Sequence, residues 1–497
     1  MNDIMKLQNG SDIRGIALPG VPGEDVNMDE ESIIKIGEAF IFWLSLKTGK
    51  AVFDMNICVG HDSRLSAEPI KESIMKGINA MGSRCTDAGL CSTPAMFMST
   101  VMPFFEFDGA VMITASHLPW NRNGLKFFTP EGGLDKEDIT KILTRAKTIH
   151  PVFNTYEADQ TNLMEMYAAH LRQLISMKAK TSLKGMKIVV DAGNGAGGFF
   201  AHQVLEPLGA DVSGSQFLKP DGHFPNHAPN PENPEAMASI CSRVKETGAD
   251  LGIIFDTDVD RSAAVAGTGQ PIARNEIVAL AAALEAENHP GGTVVTDSIT
   301  SNELHDFLEK DLGLKHLRFR RGYRNVINKS IELAAAGEDA FLAIETSGHA
   351  AYADNYHLDD GAYLACLIVA AAARLKQEGK GIESLISALK SPAESREIRF
   401  NLDPANFAEI GTAALDGMTD WVEITDGLSL EQPNYEGVRV NFDLDGANGW
   451  FLLRKSLHDP VLPLNIESEQ EGGIDLVVPM ILDYLKQFDG IDLSAAE

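Results

Sequence analysis

The sequence is poor in cysteine and contains no apolar run of membrane-spanning length. Five of its 497 residues are cysteines, and no two of them stand in a Cys-x-x-Cys or other metal-ligating spacing. Few, unpaired thiols in a chain of this size indicate a reducing compartment, so we expect a cytoplasmic protein. The longest apolar run, at residues 362–373, is shorter than the about 20 residues that cross a membrane. It predicts a buried helix of a soluble protein, and we see no signal-peptide pattern at the N-terminus.

Positive charge is also scarce. Acidic residues outnumber basic residues by 71 to 42, which gives a formal net charge of −29. A chain this acidic repels nucleic acid and anionic lipid, so we expect neither as a partner. A small anionic substrate is compatible with this charge, because a local group of Arg and Lys residues can reverse the field within one cleft.

Strand-like apolar runs alternate with helical patterns over most of the chain, which predicts an α/β protein. The alternation favours mixed or parallel sheets covered by helices, with ligands at the carboxyl ends of the strands. Changes in composition predict three αβ domains, at residues 1–155, 156–261 and 262–388. Residues 389–497 differ: "WVEITDGLSL", "GVRVNFDL" and "GWFLLRKS" read as antiparallel strands of a smaller α+β domain.

The loop "TASHLPWNRNGLK" follows the buried-strand pattern "DGAVMI" and carries a hydroxyl, an imidazole and an ammonium group. Ser116, His117 and Lys126 thus lie at a strand end, where α/β proteins bind their ligands. An ordinary surface turn has the same composition, since Ser and His are common in loops. The loop alone therefore leaves both interpretations open.

Three carboxylates follow the apolar strand "LGIIF" in the segment "DTDVDR". On an extended strand, alternate residues face one side, so Asp256, Asp258 and Asp260 would converge on one point. Crowded like charges favour a bound cation, and an all-oxygen ligand set favours Mg²⁺. An EF-hand calcium loop starts with the same spacing, but its sixth and twelfth positions need Gly and Glu, and Arg261 and Gly267 stand there. The remaining alternative is a solvated acidic turn.

The segment "DAGNGAGG" contains a Gly-x-Gly-x-x-Gly pattern between a strand and a helix, with Asp211 further along the chain. A dinucleotide-binding turn has this pattern, so an NAD-linked oxidoreductase is an alternative of another class. A tight strand-to-helix turn has it too. We favour the tight turn, because a triple-Asp cluster and basic loops do not suit hydride transfer.

Two further loops offer groups that bind sugars and phosphates. The segment "ETSGH" follows the apolar "FLAI" and carries Glu345, Ser347 and His349, which suit hydrogen bonds to sugar hydroxyls and proton transfer. The segment "FLLRKSLHDP" places donors suited to a phosphate group after another strand: Arg454, Ser456 and His458. Each of these loops alone also fits a solvated turn.

In this order, the four loops resemble those of the α-D-phosphohexomutase superfamily of phosphoglucomutases and phosphomannomutases. Other segments are similar to motifs of the same family: "SDIRG" (11–15), "VGHDSRLS" (59–66), "GLCSTP" (89–94) and "DGHFPNHAPNPENPE" (221–235). The resemblance covers nearly the whole chain. It implies a four-domain phosphohexomutase architecture around a central cleft, with one of the four loops in each domain.

The resemblance implies an enzyme that interconverts hexose 1-phosphate and hexose 6-phosphate, with glucose or mannose as the sugar. Ser116 would carry the phosphoryl group as phosphoserine and, with the three Asp residues, hold Mg²⁺; hexose 1,6-bisphosphate would be the intermediate. Arg14 and Arg261 would help to neutralise the phosphoserine, since phosphoryl transfer needs alignment and charge neutralisation. Lys126 or His349 would take the proton of the sugar hydroxyl. Lys126 is the first choice, and nearby cations would have to lower its pKa. The resemblance also points to His117, Arg64 and Arg324.

The sequence departs from the family pattern at several positions. Leu118 stands where the serine loop usually has Asn, and Thr257 where the metal loop usually has Gly. In the phosphate loop, Leu457 replaces a small or polar residue and Pro463 a frequent Arg. Fewer contacts to the distal phosphate would weaken retention of the bisphosphate. A hexose (glucose) 1,6-bisphosphate synthase, rephosphorylated by another donor, is therefore the alternative. We expect a monomer or a homodimer.

Overall fold

Residues 3–151, 153, 155–456 and 459–496 are described by the computed structural model, and the chain divides into two compact units. The first unit comprises Met1–Ile277 and Ser347–Ser384, and the second comprises Val278–Thr346 and Leu385–Glu497. The chain therefore leaves the first unit, returns to it for one short segment, and leaves it again.

Several of the α-helices begin and end at ordinary capping residues. The Asp29 side chain accepts the backbone N–H of Ser32 at the start of α1, and Gly49 ends that helix in the left-handed conformation. The α-helices are α1 (Glu30–Thr48), α2 (Ala67–Ala80), α3 (Thr93–Val101), α4 (Lys136–Ala146), α5 (Leu163–Ala179), α6 (Pro234–Thr247), α7 (Asn275–Glu285), α8 (Asn302–Asp306), α9 (Tyr323–Ala335), α10 (Gly361–Gln377), α11 (Phe407–Glu423) and α12 (Gly473–Leu485).

The strands are short, and most of them are buried on at least one face. They are β1 (Gln8–Asn9), β2 (Asp12–Ile16), β3 (Asn56–His61), β4 (Arg84–Leu90), β5 (Gly109–Ile113), β6 (Arg122–Thr129), β7 (Gly132–Gly133), β8 (Ala158–Gln160), β9 (Ile188–Asp191), β10 (Leu251–Phe255), β11 (Ser262–Ala266), β12 (Pro271–Ile272), β13 (Thr293–Asp297), β14 (Lys315–Phe319), β15 (Leu342–Ile344), β16 (Ala350–Tyr352), β17 (Leu358–Asp359), β18 (Glu394–Leu402), β19 (Leu428–Leu430), β20 (Val438–Leu444), β21 (Ala447–Leu453), β22 (Val461–Ser468) and β23 (Ile491–Asp492).

The first unit contains an eight-stranded mixed sheet with the order β1-β2-β6-β5-β3-β4-β8, in which β7 pairs with β6. Strand β3 runs parallel to β4 and β5, whereas β6 runs antiparallel to β5. Every residue of β5 is buried, as its unbroken apolar sequence predicts. Strand β8 pairs with β4, so this sheet extends past the predicted domain boundary at residue 155.

A second sheet of the first unit has the order β12-β11-β10-β9. Strand β10 is parallel to β9 and antiparallel to β11. Because β11 and β12 follow Arg261, the predicted boundary at residue 261 is wrong and falls within this sheet. Helix α10 packs against α5 and is buried from Gly361 to Ala373, which explains its apolar run. Among the described residues, the helices are all too short or too polar to cross a membrane.

The second unit contains the parallel strands β14-β13-β15 and an antiparallel sheet with the order β19-β20-β21-β22-β18-β23. The prediction of antiparallel strands for "GVRVNFDL" and "GWFLLRKS" is confirmed, since they form β20 and β21. The prediction of a strand for "WVEI" is wrong, because these residues end α11. Ala414, Met418 and Val422 are buried at helical spacing, so Val422 continues the apolar stripe of that helix.

Each of the four predicted loops begins on the residue after a strand. Thr114 follows β5, Asp256 follows β10, Glu345 follows β15 and Arg454 follows β21. The predicted α/β class is therefore confirmed, and the carboxyl ends of strands present the candidate residues.

Candidate active site

The serine loop is held in a strained conformation directly after β5. Ser116 has a φ of +50°, which is uncommon for a residue with a side chain, and it is 3% exposed. Its backbone N–H donates to Thr114 Oγ1 at 2.9 Å, and its hydroxyl donates to Asp256 Oδ2 at 3.0 Å. The Ser116 hydroxyl therefore points at Asp256, the first carboxylate of the acidic loop.

Arg64 fixes the backbone of the serine loop. Its Nη1 donates to the carbonyls of Pro119 (2.8 Å) and Arg122 (2.9 Å), and its Nη2 donates to those of Ser116 and Leu118 (2.5 Å each). The Arg64 side chain is buried, so these four bonds form away from competing water. The resemblance points to Arg64 without a stated role, and the structure shows that it holds the backbone of the serine loop.

The acidic loop brings its three carboxylates together by a turn rather than by an extended strand. Residues 256–261 connect β10 to antiparallel β11, with Phe255 paired to Ser262, and Val259 takes a φ of +68°. The predicted extended conformation is therefore wrong, because the chain reverses direction here. The predicted convergence nevertheless holds: Asp256, Asp258 and Asp260 are all buried, and their ligand atoms lie within 4.8 Å of one another.

The positions of the carboxylate oxygens fit a metal ion. Asp258 Oδ2 accepts from Thr93 Oγ1 at 2.5 Å and from Lys126 Nζ at 3.3 Å, and Asp260 Oδ2 accepts from Lys126 Nζ at 2.5 Å. The Oδ1 atoms of Asp258 and Asp260 are buried without a hydrogen-bond partner in the described part of the chain. In Asp258 and Asp260, one carboxylate oxygen is thus held in place and the other is left for a ligand, whereas both oxygens of Asp256 accept hydrogen bonds. This buried acidic cluster could bind a metal ion.

Burial and mutual repulsion act on these acids unequally. Burial, with the neighbouring Asp260 and Asp258, raises the pKa of Asp256. Burial also opposes ionisation of Asp260, but Lys126 and His349 outweigh it and lower the pKa of this carboxyl. A cation between the carboxylates would relieve the repulsion that raises the pKa of Asp256.

Arg261 connects the acidic loop to the serine loop. Its Nη2 donates to Asp256 Oδ2 at 3.2 Å, to Ser116 Oγ at 3.4 Å and to His117 Nδ1 at 2.8 Å. Burial, and next the Arg261 cation, lower the pKa of His117 below its usual range, although the residue keeps an exposed surface. His117 is therefore neutral and accepts a hydrogen bond from Arg261.

Two candidate proton carriers lie beside the acids. The expected cations near Lys126 are not what its ammonium group meets: Asp260 and Asp258 lie against it. His349 Nδ1 is hydrogen-bonded to Asp359 Oδ2 and lies 4.0 Å from Asp260 Oδ1. Burial opposes the charged form of His349, but Asp359 and Asp260 outweigh it and raise its pKa to about 9.

Asp359 was not predicted as a site residue. It stands in "HLDDG" next to Asp360, which caps helix α10, and nothing in that pattern distinguishes an orienting carboxylate from a helix cap. The hydrogen bond to His349 reveals its role only in three dimensions.

Arg14 lies on β2 opposite Gly124 of β6, and its Nη2 pairs with Asp12 Oδ2 at 2.9 Å. It contributes, after burial and Arg261, to the lowered pKa of His117, so its charge acts on the serine loop. The structure therefore groups Arg14 with the other candidates of the first unit: Ser116, His117, Lys126, Asp256, Asp258, Asp260, Arg261 and His349.

The remaining sugar and phosphate candidates divide between the units. Ser347 belongs to the first unit, whereas Glu345 belongs to the second, where its Oε1 accepts the Gly322 N–H at 2.7 Å. Arg324 lies in the first turn of α9 in the same unit. Arg454 is 7% exposed, and the Ser456 N–H donates to the carbonyl of Val461 at 3.1 Å. His458, with Leu457, lies outside the described residues.

The Gly-x-Gly-x-x-Gly turn is explained by packing. A Cβ atom on Gly195 would lie 2.5 Å from the carbonyl oxygen of Thr257, and one on Gly198 would lie 2.2 Å from that of Leu218. The glycines thus allow close approach of backbone segments, one of which belongs to the acidic loop. This supports the tight-turn interpretation over dinucleotide binding.

Comparison with known proteins identifies the family. Sequence models described as phosphoglucomutase/phosphomannomutase α/β/α domains I, II and III match residues 5–152, 165–269 and 273–391. A phosphomannomutase/phosphoglucomutase of Pseudomonas putida is 30% identical over 441 residues, covering 88% of this chain and 89% of that protein. A phosphomannomutase of Escherichia coli is 29% identical over 479 residues, covering 92% of this chain and 94% of that protein.

The fold is also that of solved structures. A phosphoglucomutase/phosphomannomutase family protein from Burkholderia thailandensis superposes with a TM-score of 0.77 at 24% identity, with 98% of each chain covered. With three matched α/β/α domains and a C-terminal sheet domain, the predicted four-domain architecture is confirmed. The chain therefore belongs to the phosphoglucomutase/phosphomannomutase family and is an intramolecular phosphotransferase of the mutase type.

Proposed function

We propose that this enzyme interconverts hexose 1-phosphate and hexose 6-phosphate, with glucose or mannose as the sugar, through phosphoserine at Ser116 and hexose 1,6-bisphosphate. The observation that carries the proposal is the buried Ser116 hydroxyl, 3.0 Å from Asp256 Oδ2 and 3.4 Å from Arg261 Nη2. The relatives named phosphomannomutase/phosphoglucomutase support the choice of substrates.

Asp256, Asp258 and Asp260, with an oxygen at Ser116, would hold Mg²⁺. When bound, Mg²⁺ supplies positive charge that neutralises the phosphoryl oxygens. Arg261 supplies further positive charge from the protein, since its Nη2 already lies against Ser116 Oγ and His117. Arg14 adds to the positive charge around the serine loop.

In the first half-reaction, the bond between phosphorus and Ser116 Oγ breaks as phosphorus bonds to the free hydroxyl oxygen of the hexose monophosphate. The hydroxyl proton passes to Lys126 or His349, whichever has first given up its own proton, and Arg261 stabilises the serine oxygen left behind. After the bisphosphate turns around, its other phosphoryl group returns to Ser116 Oγ and the proton returns to the sugar oxygen. Alignment and charge neutralisation are sufficient for such transfers.

The two proton carriers suit different roles. His349 has a pKa of about 9, so it holds a proton at neutral pH and suits the return of a proton to the sugar oxygen. Lys126 remains the first choice for accepting the hydroxyl proton, but it must first lose a proton, because Asp260 and Asp258 lie against its ammonium group. Glu345 and Ser347 are proposed to bind sugar hydroxyls, and Arg454, Ser456 and His458 to bind the phosphate that is not reacting.

The test is phosphorus NMR of the purified protein with glucose 1-phosphate or mannose 1-phosphate and a trace of glucose 1,6-bisphosphate. We expect the hexose 6-phosphate to form over many turnovers per bisphosphate. Ser116→Ala should lose at least ~10³-fold in rate, and intact mass should show a phosphate that this variant lacks. Ser99→Ala, equally buried in α3, is the matched control and should keep the phosphate and the activity.

Two results would contradict the proposal. Stoichiometric accumulation of glucose 1,6-bisphosphate would favour the synthase, and near-normal turnover by Ser116→Ala would exclude the phosphoserine. Saturable binding of NADH, followed by fluorescence, would instead favour the oxidoreductase.

A further inference from the structure

One donor of a buried guanidinium group in the second unit has no acceptor. Arg454 follows β21 and is 7% exposed, and its Nε lacks a hydrogen-bond partner within the described ranges. A buried donor left without an acceptor costs free energy unless a ligand supplies one. Burial, and next the charge of Arg321, lower the pKa of Arg454, so a second cation acts on the same position. The position is suited to an anion.

A further arginine lies close to Arg454 across the sheet. Strands β18 and β22 are antiparallel with Arg399 opposite Pro463, and the Arg454 N–H donates to the Pro463 carbonyl at 3.1 Å. Pro463 therefore has Arg399 on one side and the backbone of Arg454 on the other. Pro463 itself brings no charge, but Arg399, its partner on the neighbouring strand, brings one.

The side chain of Arg399 lies on the exposed face of β18. Glu397 and Arg399 are exposed, whereas Ile398 and Phe400 between and beyond them are buried. Arg396 lies on the opposite face of the same strand, and its Nη2 pairs with Asp475 of α12 at 3.4 Å. Two arginines of one strand thus point to different faces.

Arg321 is the third cation. It precedes α9, its N–H donates to Glu436 Oε2 at 3.1 Å, and its Nε lies 3.6 Å from Asp297 Oδ2. The charges of Arg321 and Arg399 both lower the pKa of Arg454, so both act on its guanidinium group.

The nearby acids are already occupied by other donors. Glu397 accepts from Arg399 Nε at 2.6 Å and from Asn465 Nδ2 at 3.1 Å. Glu436 accepts from Ser298 Oγ and from the Arg321 N–H. Asp297, 3.6 Å from Arg321 Nε, likewise accepts from the Thr346 hydroxyl, so each acid near the three guanidinium groups already has other donors. The buried Arg454 Nε, which has no partner within the described ranges, and the neighbouring guanidinium groups are donors that suit a phosphate.

We propose that Arg399 and Arg321 complete, with Arg454, the site for the phosphate that is not reacting, and so retain hexose 1,6-bisphosphate while it turns around. The inference rests on the proposed mutase function and argues against the synthase alternative. The positive charge that Pro463 does not provide comes from Arg399 across the strand pair, and Arg321 adds a cation from the loop before α9.

The test measures binding of glucose 1,6-bisphosphate to the full chain by calorimetry in the Ser116→Ala background, where no transfer occurs. Arg399→Gln and Arg321→Gln should each weaken binding by about tenfold or more, the loss expected for one charge-assisted hydrogen bond. Arg399→Lys, which keeps the charge, should recover part of the affinity. Arg396→Gln is the matched control on the same strand and should bind within about twofold of the parent protein.

A second measurement uses the active enzyme. Arg399→Gln should release more free bisphosphate per turnover than wild type, whereas Arg396→Gln should not. Equal bisphosphate affinity for Arg399→Gln and Arg396→Gln would overturn the inference, even if the wild-type enzyme is an active mutase. If wild type turns over no hexose phosphate, the proposed function fails separately, and the binding comparison still decides the role of Arg399.

Discussion

Thr93 and Asp258 are joined by two hydrogen bonds, although 165 residues separate them in the chain. The Thr93 N–H donates to the Asp258 carbonyl at 2.8 Å, and its hydroxyl donates to Asp258 Oδ2 at 2.5 Å. Thr93 is the first residue of α3 and is buried, so both bonds are protected from water. The "GLCSTP" motif thus holds the middle carboxylate of the acidic loop, with Asp258 Oδ1 left for an ion.

We expect Thr93→Val to weaken metal binding by about tenfold, because groups that hold metal ligands typically contribute 10–100-fold to affinity. The measurement is Mn²⁺ binding by electron paramagnetic resonance on the full chain, independent of turnover. Thr93→Ser keeps the hydroxyl and should bind Mn²⁺ like wild type. Equal affinity for the Val and Ser variants would show that the hydroxyl does not position Asp258.

The contrast between Thr93 and Ser116 shows what the sequence could reveal. Ser116 and the three Asp residues follow apolar strands, and α/β folds bind ligands at strand ends. The sequence next to these residues was therefore enough to predict them as site residues. Thr93 and Asp359 act through partners far along the chain or across a loop, and no local pattern records such a pairing. The strand predicted for "WVEI" was wrong for a different reason. Its β-branched and aromatic residues favour a strand, but the buried residues of α11 recur at helical spacing.

A second prediction concerns the ion itself. Asp258→Asn replaces one of three converging carboxylates by a neutral amide, so Mg²⁺ affinity and activity should fall together. Calorimetry with Mg²⁺ and the rate of hexose phosphate conversion are the two measurements. Asp250→Asn, a partly exposed acid before β10, is the control and should change neither. Full activity after chelation of divalent ions would contradict the metal assignment.

Arg64 supplies a third prediction. Arg64→Lys replaces a planar fork with a single ammonium group, which cannot reach the four carbonyls that the guanidinium binds. The serine loop should lose its fixed position, and kcat should fall about 100-fold, the effect of a small misplacement of a reacting group. KM should change little, because the predicted substrate ligands are elsewhere. Arg84→Lys, exposed on β4, is the control, and equal kcat for the two variants would remove the positioning role.

Glu467 supplies the last prediction, through its burial beside an aromatic donor. It is 8% exposed on β22, and its Oε2 accepts from Trp450 Nε1 at 2.9 Å. Burial, and next the charge of Glu303, raise its pKa from 4.5 to about 7. The folded state therefore holds this proton more tightly than the unfolded state does. The stabilising contribution is complete below pH 4.5 and is lost as the pH rises through 7.

Glu467→Gln should remove this dependence, because the amide stays neutral at every pH and can still accept from Trp450. Between pH 5 and 8, the free energy of unfolding of wild type should fall relative to the variant by about 2–3 kcal/mol, since one pKa unit corresponds to about 1.4 kcal/mol. Urea unfolding of both proteins at several pH values measures this difference, with the exposed Glu471→Gln as the control. A constant difference between Glu467→Gln and wild type over this range would show that Glu467 does not titrate there.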